Sequence, residues 1–280
     1  MSCVISDAVV CEYEQMLRDE DKSSGTRQMY LRILRTFRRW LGERELTHDA
    51  VLAFRASLLD AGRKASTVNT YVAALNHFLA FLGRDDCRMK ALHLQRRAFR
   101  DSSRDLSKDE YWRMVHTAQN RGFKMEALLL ETLGGTGIRV SETKYITVEA
   151  AKAGKAEILL KGKVRTILIP GKLQRSLLYY ARENHIAEGE IFLSHTGNPL
   201  DRKQIWAILK KMGSLAGVEQ TKVFPHNLRH FFAVTFYSAY QDIVALADIL
   251  GHSKTDTTRI YLMTTEEAHI RRLNNLGLVT

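Results

Sequence analysis

Cysteine is scarce in this chain of 280 residues: Cys3, Cys11 and Cys87 are an odd set with no metal-type spacing. That excludes a disulfide scaffold and suits a reducing, cytoplasmic setting. No apolar run approaches the ~18 residues that a membrane span needs. The amino end, MSCVISDAVVCEYEQ, lacks the basic-then-apolar layout of a secretory leader. Walker loop, GxGxxG, HExxH, CxxC pair and GxSxG are all missing, so no nucleotide cradle, zinc-thiolate site or hydrolase elbow is expected, and no cofactor or metal. There is no internal repeat and no low-complexity tract.

What the chain has is a core and a charge. At 45% hydrophobic and 26% charged residues it can fill one large or two modest globular domains. Forty-two Lys and Arg against 31 Asp and Glu leave a formal net charge of +11. A polyanionic partner follows, since each phosphate neutralised releases a condensed counterion. The surplus is uneven. Residues 1–22 carry a net −4, whereas 23–104 carry +9.

That basic stretch has helical periodicity. Tyr30, Ile33, Leu34, Phe37 and Leu41 make one apolar stripe, and Val68, Tyr71, Val72, Leu75, Leu79 and Leu82 a second. Weaker patterns over 5–18 and 48–60 complete a four-helix bundle. Arg27, Arg35 and Arg38 flank the first stripe, with Arg63 and Lys64 ahead of the second, and these five are the expected DNA-facing residues. Residues 95–106 (QRRAFRDSSRDL) read as a polar linker, with the domain boundary near 103. Ser107 and Glu110 form the signature of a capping box.

Beyond the linker, apolar spacing predicts helices at 107–120, 123–134, 172–185, 201–216, 227–239, 241–250 and 254–263. AEILL (156–160) and RTILI (165–169), joined by KGKV, predict a hairpin, and Glu190–Leu193 a short strand. The fold class expected is mainly α with a small antiparallel sheet.

Four polar clusters fall at element junctions. In TGIRVSE (136–142), preceded by Gly134 and Gly135, three glycines in four positions predict tight turns, Arg139 on a compact loop and Glu142 close enough to brace it. In PHNLRH (225–230), Pro225 opens a helix on which His226 and Arg229 share a face. Gly251 stops a helix in LGH, leaving His252 on the next turn, and Tyr261 follows nine residues later. His226 and His230 also make an i, i+4 pair of the kind that binds zinc. Arg229 beside them repels a cation, and no acidic or thiol residue has matching spacing.

The ordered set TGIRVSE, KGK in a hairpin, PHNLRH, then LGH with Tyr261 resembles the tyrosine recombinases, the phage integrase family of site-specific DNA recombinases. The resemblance spans 107–263 in order. It implies a SAM-like, four-helix core-site DNA-binding domain (1–103) and a catalytic domain (104–280). It further implies an active site of Arg139, Lys161, His226, Arg229 and His252 around Tyr261 as nucleophile. Both Lys161 and Lys163 fall in the hairpin turn, and alignment from the leading strand favours Lys161.

These residue types suit phosphoryl transfer. Arginine forks stay charged and stabilise the negative charge gathering on the phosphoryl oxygens. His226 titrates near neutrality and can take the phenol proton, whose reference pKa is about 10. A lysine on a hairpin can protonate the leaving 5′ oxygen. A 3′-phosphotyrosyl link conserves the ester bond, so rejoining needs no ATP. Four strands to exchange imply four protomers on two DNA sites with paired half-sites, and for the tail after Tyr261, with a helix start at Thr264, the resemblance favours packing onto a neighbouring subunit over capping its own domain. The acidic start running straight into the helices favours a two-domain recombinase without an arm-type domain. A type IB topoisomerase-like relaxing enzyme and a non-catalytic DNA-binding protein are the alternatives.

Overall fold

The computed structural model describes residues 5–94, 104–160, 163–251 and 274–275. The chain divides into two compact units, Met1–Arg96 and Arg97–Thr280. No helix among the described residues is long and apolar enough to cross a membrane.

The first unit holds α1 (Asp7–Asp19), α2 (Ser24–Leu41), α3 (His48–Asp60) and α4 (Ala65–Phe81), closed by a 3-10 turn at Asp85–Cys87. Three of the helices start where a hydroxyl side chain at the N-cap accepts a free backbone N–H: Ser6, Ser23 and Thr47. The stripe on α2 buries Ile33, Leu34, Phe37 and Leu41, and that on α4 buries Val68, Val72, Leu75 and Leu79. Tyr30, Tyr71 and Leu82 are only half-buried at the edge of that core. Cys11 is exposed and Cys87 buried, both as free thiols.

The second unit contains α5 (Lys108–Asn120), α6 (Lys124–Thr136), a 3-10 turn (Val140–Tyr145) and α7 (Val148–Ala153). The strands β1 (Lys155–Leu160) and β2 (Lys163–Leu168) come next, then α8 (Gly171–Glu183), α9 (Arg202–Leu215), α10 (Pro225–Tyr240) and α11 (Ile243–Leu250). The capping box of Ser107 and Glu110 is present at the start of α5. α6 is the central helix, packed against α5, α8, α9 and α10. The strands pair antiparallel from Lys155↔Leu168 to Leu160↔Lys163. Ala156 and Ile158 face the core from β1, and Arg165 and Ile167 from β2, at the period of two that a pleated strand imposes.

The structure corrects four sequence expectations. Gly134 and Gly135 do not make a turn: they lie inside α6, and a Cβ on Gly134 would sit 2.5 Å from the Tyr111 ring, so this glycine serves close helix packing. Of these three glycines only Gly137 takes the left-handed conformation. Glu190–Leu193 is not a strand; it makes single bridges, Thr147↔Glu190 and Leu193↔Pro199. The hairpin connection is narrower than KGKV, because Lys163 already belongs to β2 opposite Leu160. Finally, Arg104–Leu106 is more than a linker. Leu106 is buried in the second core, and the Arg104 carbonyl accepts a hydrogen bond from Asn227 at 2.8 Å. The helix expected at 254–263 and the tail from Thr264 to Leu273 lie outside the described residues.

Candidate active site

The site is assembled from the ends of α6 and α11 and the start of α10. α6 ends at Gly137, whose φ of +62° closes the helix with an N–H to the Leu133 carbonyl. A Cβ there would stand 2.4 Å from the Phe232 ring of α10, so glycine is required twice over. Two residues later Arg139 caps the 3-10 turn. Its backbone N–H donates to Glu142 Oε2 at 2.8 Å and its guanidinium to Oε1 at 2.9 Å. Glu142 is buried, whereas the Arg139 side chain is 43% exposed. The brace is therefore internal and the cation faces outward.

Glu142 has a second partner that sequence spacing did not reveal. Arg165 of β2 donates to the same Oε1. A carboxylate shared by two guanidiniums leaves the group with a net positive charge.

Arg229, on the first turns of α10, is 3% exposed. Its guanidinium donates to the Gly137 carbonyl at 2.7 Å and to the Leu250 carbonyl at 2.8 Å. One buried fork thus ties together the turn before Arg139 and the end of α11. Gly251 terminates α11 in the left-handed conformation, as its position after Leu250 predicted. His226 lies one helical turn before Arg229 and is exposed. Partial burial, then the positive charges of Arg229, His230 and Arg139, hold its pKa below the ordinary 6.5. Arg139, His226 and Arg229, separated by up to ninety positions in sequence, act on one another electrostatically.

The direction of that shift has a consequence. At neutral pH His226 is unprotonated and ready to accept a proton. As pH falls through 6.5, an unfolded chain takes up a proton that the folded site resists, so this histidine's contribution to stability is present above 6.5 and declines below it. Where His226 serves as the proton acceptor that the resemblance implies, the acid limb of strand cleavage, read at subsaturating DNA so that it reports the free enzyme, is expected to have its midpoint below pH 6.5. Single-turnover rates across about pH 5 to 8 measure it. A midpoint at or above 7 assigns the limb to a different group.

The remaining expected residues are placed as follows. His230 is paired with Asp105 at 3.3 Å, an acidic neighbour that a linear reading of 95–106 as linker could not supply. Asn227 binds the carbonyls of Arg104 and Lys222, and Lys222 pairs with Glu110 at 2.9 Å, so the entry segment is fastened to α10 beside the site. Among the described residues no group of three or more His, Cys, Asp or Glu gathers as a metal set. Lys161, His252 and Tyr261 lie outside the described residues. In the first unit, Arg35 is exposed on α2, and Arg63 and Lys64 are exposed at the start of α4. Arg27 is half-buried and donates to the Lys22 carbonyl. Arg38 is less available than its flanking position suggested, being ion-paired with Asp7.

Comparison with known proteins gives the following. Residues 104–268 match the model described as "Phage integrase family", and residues 10–86 match "Phage integrase, N-terminal SAM-like domain". The chain is 32% identical over 273 residues to tyrosine recombinase XerA of Thermococcus kodakarensis, covering 94% of this chain and 93% of that protein. It is also 32% identical over 241 residues to tyrosine recombinase XerC of Roseiflexus castenholzii, covering 80% and 76%. Its fold is similar to that of XerH site-specific recombinase in a pre-cleavage complex with its difH substrate, with a TM-score of 0.69 at 19% identity over 96% and 84% of the two chains. A lambda integrase dimer bound to a COC′ core site gives 0.71 at 17% identity, over 91% and 76%.

Proposed function

The chain belongs to the phage integrase family and is a tyrosine-type site-specific DNA recombinase, and from that premise we propose that Arg139, Lys161, His226, Arg229 and His252 surround Tyr261 as its active site. The observation that supports this reading best is the buried Arg229 fork, which joins the carbonyls of Gly137 and Leu250 while its charge and that of Arg139 bear on His226.

The chemistry runs on this chain's own side chains. Tyr261 attacks the scissile phosphorus, and His226, unprotonated at neutral pH, accepts the phenol proton. Arg139, Arg229 and His252 stabilise the added charge on the phosphoryl oxygens. Lys161 protonates the departing 5′ oxygen, leaving a 3′-phosphotyrosyl ester and a free 5′-hydroxyl. The reverse attack by a 5′-hydroxyl from another duplex completes strand transfer with no external energy source.

The proposed partner is double-stranded DNA carrying paired half-sites, bound by both units, with Arg35, Arg63 and Lys64 as the freer phosphate contacts of the first unit and Arg27 and Arg38 supporting them. A lambda integrase tetramer bound to a Holliday junction is among the similar folds, and a homotetramer on two DNA sites is the assembly proposed here. A DNA substrate and three cysteines without a disulfide pattern fit a cytoplasmic protein.

The test is covalent capture. The full chain, with a chelator present, is incubated with nicked duplexes from a randomised pool, and denaturing gels retain only linked complexes. Peptide mapping of the enriched adduct is expected to place the nucleotide on Tyr261. Complexes that all dissociate on denaturation refute the enzymatic reading.

A further inference from the structure

The inward face of β2 carries Arg165, Ile167 and, just past the strand, Ile169. A guanidinium in such a series costs more to bury than an apolar side chain of equal volume unless its donors are met. They are met selectively. One end donates to Glu142 Oε1, the oxygen that also holds the Arg139 guanidinium. Nη2 reaches the Ile249 carbonyl in the last turn of α11 at 3.4 Å. Nε is buried and has no hydrogen-bond partner among the described residues. Burial also lowers the proton affinity of the group. As a device for stability alone, this is a poor one.

Its position is tightly bounded on the other side as well. A Cβ on Gly251 would stand 2.4 Å from Arg165 Cδ and 2.5 Å from Nε. The left-handed glycine that ends α11 therefore lies directly on the arginine stem. Arg165 touches the carboxylate that orients Arg139 and the turn whose next residue in sequence is His252. It also stands on the strand that follows residues 161–162 of the hairpin connection.

We infer that Arg165 is a positioning residue for strand cleavage: it sets the Arg139 guanidinium through their shared Glu142 oxygen and sets the turn after α11 through Ile249 and Gly251. This rests on the recombinase reading above. Arg165 touches none of the reacting atoms and acts by holding other groups in place. A lysine cannot do the same, because one ammonium cannot span both acceptors as a fork does.

The experiment uses the full chain and the nicked duplexes that the wild-type protein enriches from the randomised pool by its own covalent capture. Adduct formation rate, DNA affinity and melting temperature are measured for each variant. Arg165→Met, which leaves Glu142 paired with Arg139, is expected to lower the melting temperature by no more than a few degrees yet form adduct about 100-fold more slowly, with affinity changed less than about twofold. Arg165→Lys keeps the charge and most of the stem, so it tests the fork even where the methionine variant folds badly. It is expected to be about tenfold slow. In a Glu142→Gln background the further slowing by Arg165→Lys should shrink below about threefold, since both changes break one chain of contacts. The inference is overturned by an Arg165→Lys protein as fast as wild type, by rate, affinity and melting temperature falling in step, or by slowing that multiplies fully with Glu142→Gln. If the wild-type chain itself yields no adduct, the recombinase reading fails first and this inference goes with it.

Discussion

Tyr261→Phe should abolish covalent adduct formation, lowering single-turnover cleavage of the enriched nicked duplex by at least about 10⁴-fold while DNA affinity stays within about twofold of wild type. The substitution removes one oxygen and keeps the ring. Phosphate contacts that position the duplex do not involve that oxygen, so binding is preserved. The ester cannot form without it, and the proton acceptor His226 has no phenol to deprotonate. The effect is a loss of reaction and leaves recognition intact, which distinguishes a nucleophile from a residue that merely supports the site. Adducts that persist in the phenylalanine variant would move the nucleophile to another hydroxyl, and the nine-residue spacing from His252 would lose its meaning.

The second large effect is at Arg229, and there chemistry and stability fall together. Its guanidinium is almost fully buried and donates to two main-chain carbonyls, Gly137 at 2.7 Å and Leu250 at 2.8 Å. Arg229→Lys places one compact ammonium where a fork spanned two acceptors, so at least one carbonyl loses a charged donor, at about 1.5–3 kcal/mol. For a unit of this size that is a fall in melting temperature of several degrees, at roughly 2–4 °C per kcal/mol. Cleavage should drop about 10²–10³-fold, the usual cost of removing one preorganised donor from a developing oxyanion. Arg139→Lys makes the control. The Arg139 side chain is 43% exposed, so its loss should slow cleavage by a similar factor with a much smaller change in melting temperature. Equal thermal effects at the two positions would contradict the inward and outward roles assigned to them.

Local chemistry carried much of the architecture. The Ser107–Glu110 box, Pro225 at the start of α10 and Gly251 at the end of α11 each act within a few residues of themselves, so a linear reading finds them. The apolar stripes of α2 and α4 were equally visible, because helical periodicity against water is a property of one segment. Arg139 on a short turn braced by Glu142 belongs to the same class, its partner being three residues away.

What pattern reading missed has a common cause. The alternation of β2 marks position 165 as inward without telling that an arginine there pairs with Glu142, twenty-three residues upstream. Gly134 looked like part of a turn, since nothing nearby announces that the Tyr111 ring presses against its Cα. Residues 104–106 looked like linker, since Asn227 and His230, which hold them, are more than 120 positions away. Glu190–Leu193 had the composition of a strand and found only single bridging partners. Motif order and helix boundaries were thus inherent in the chain. The choice of partner for each buried charge and each bare glycine was made by packing, because desolvation and contact energies depend on which distant segment arrives, and no local periodicity encodes that.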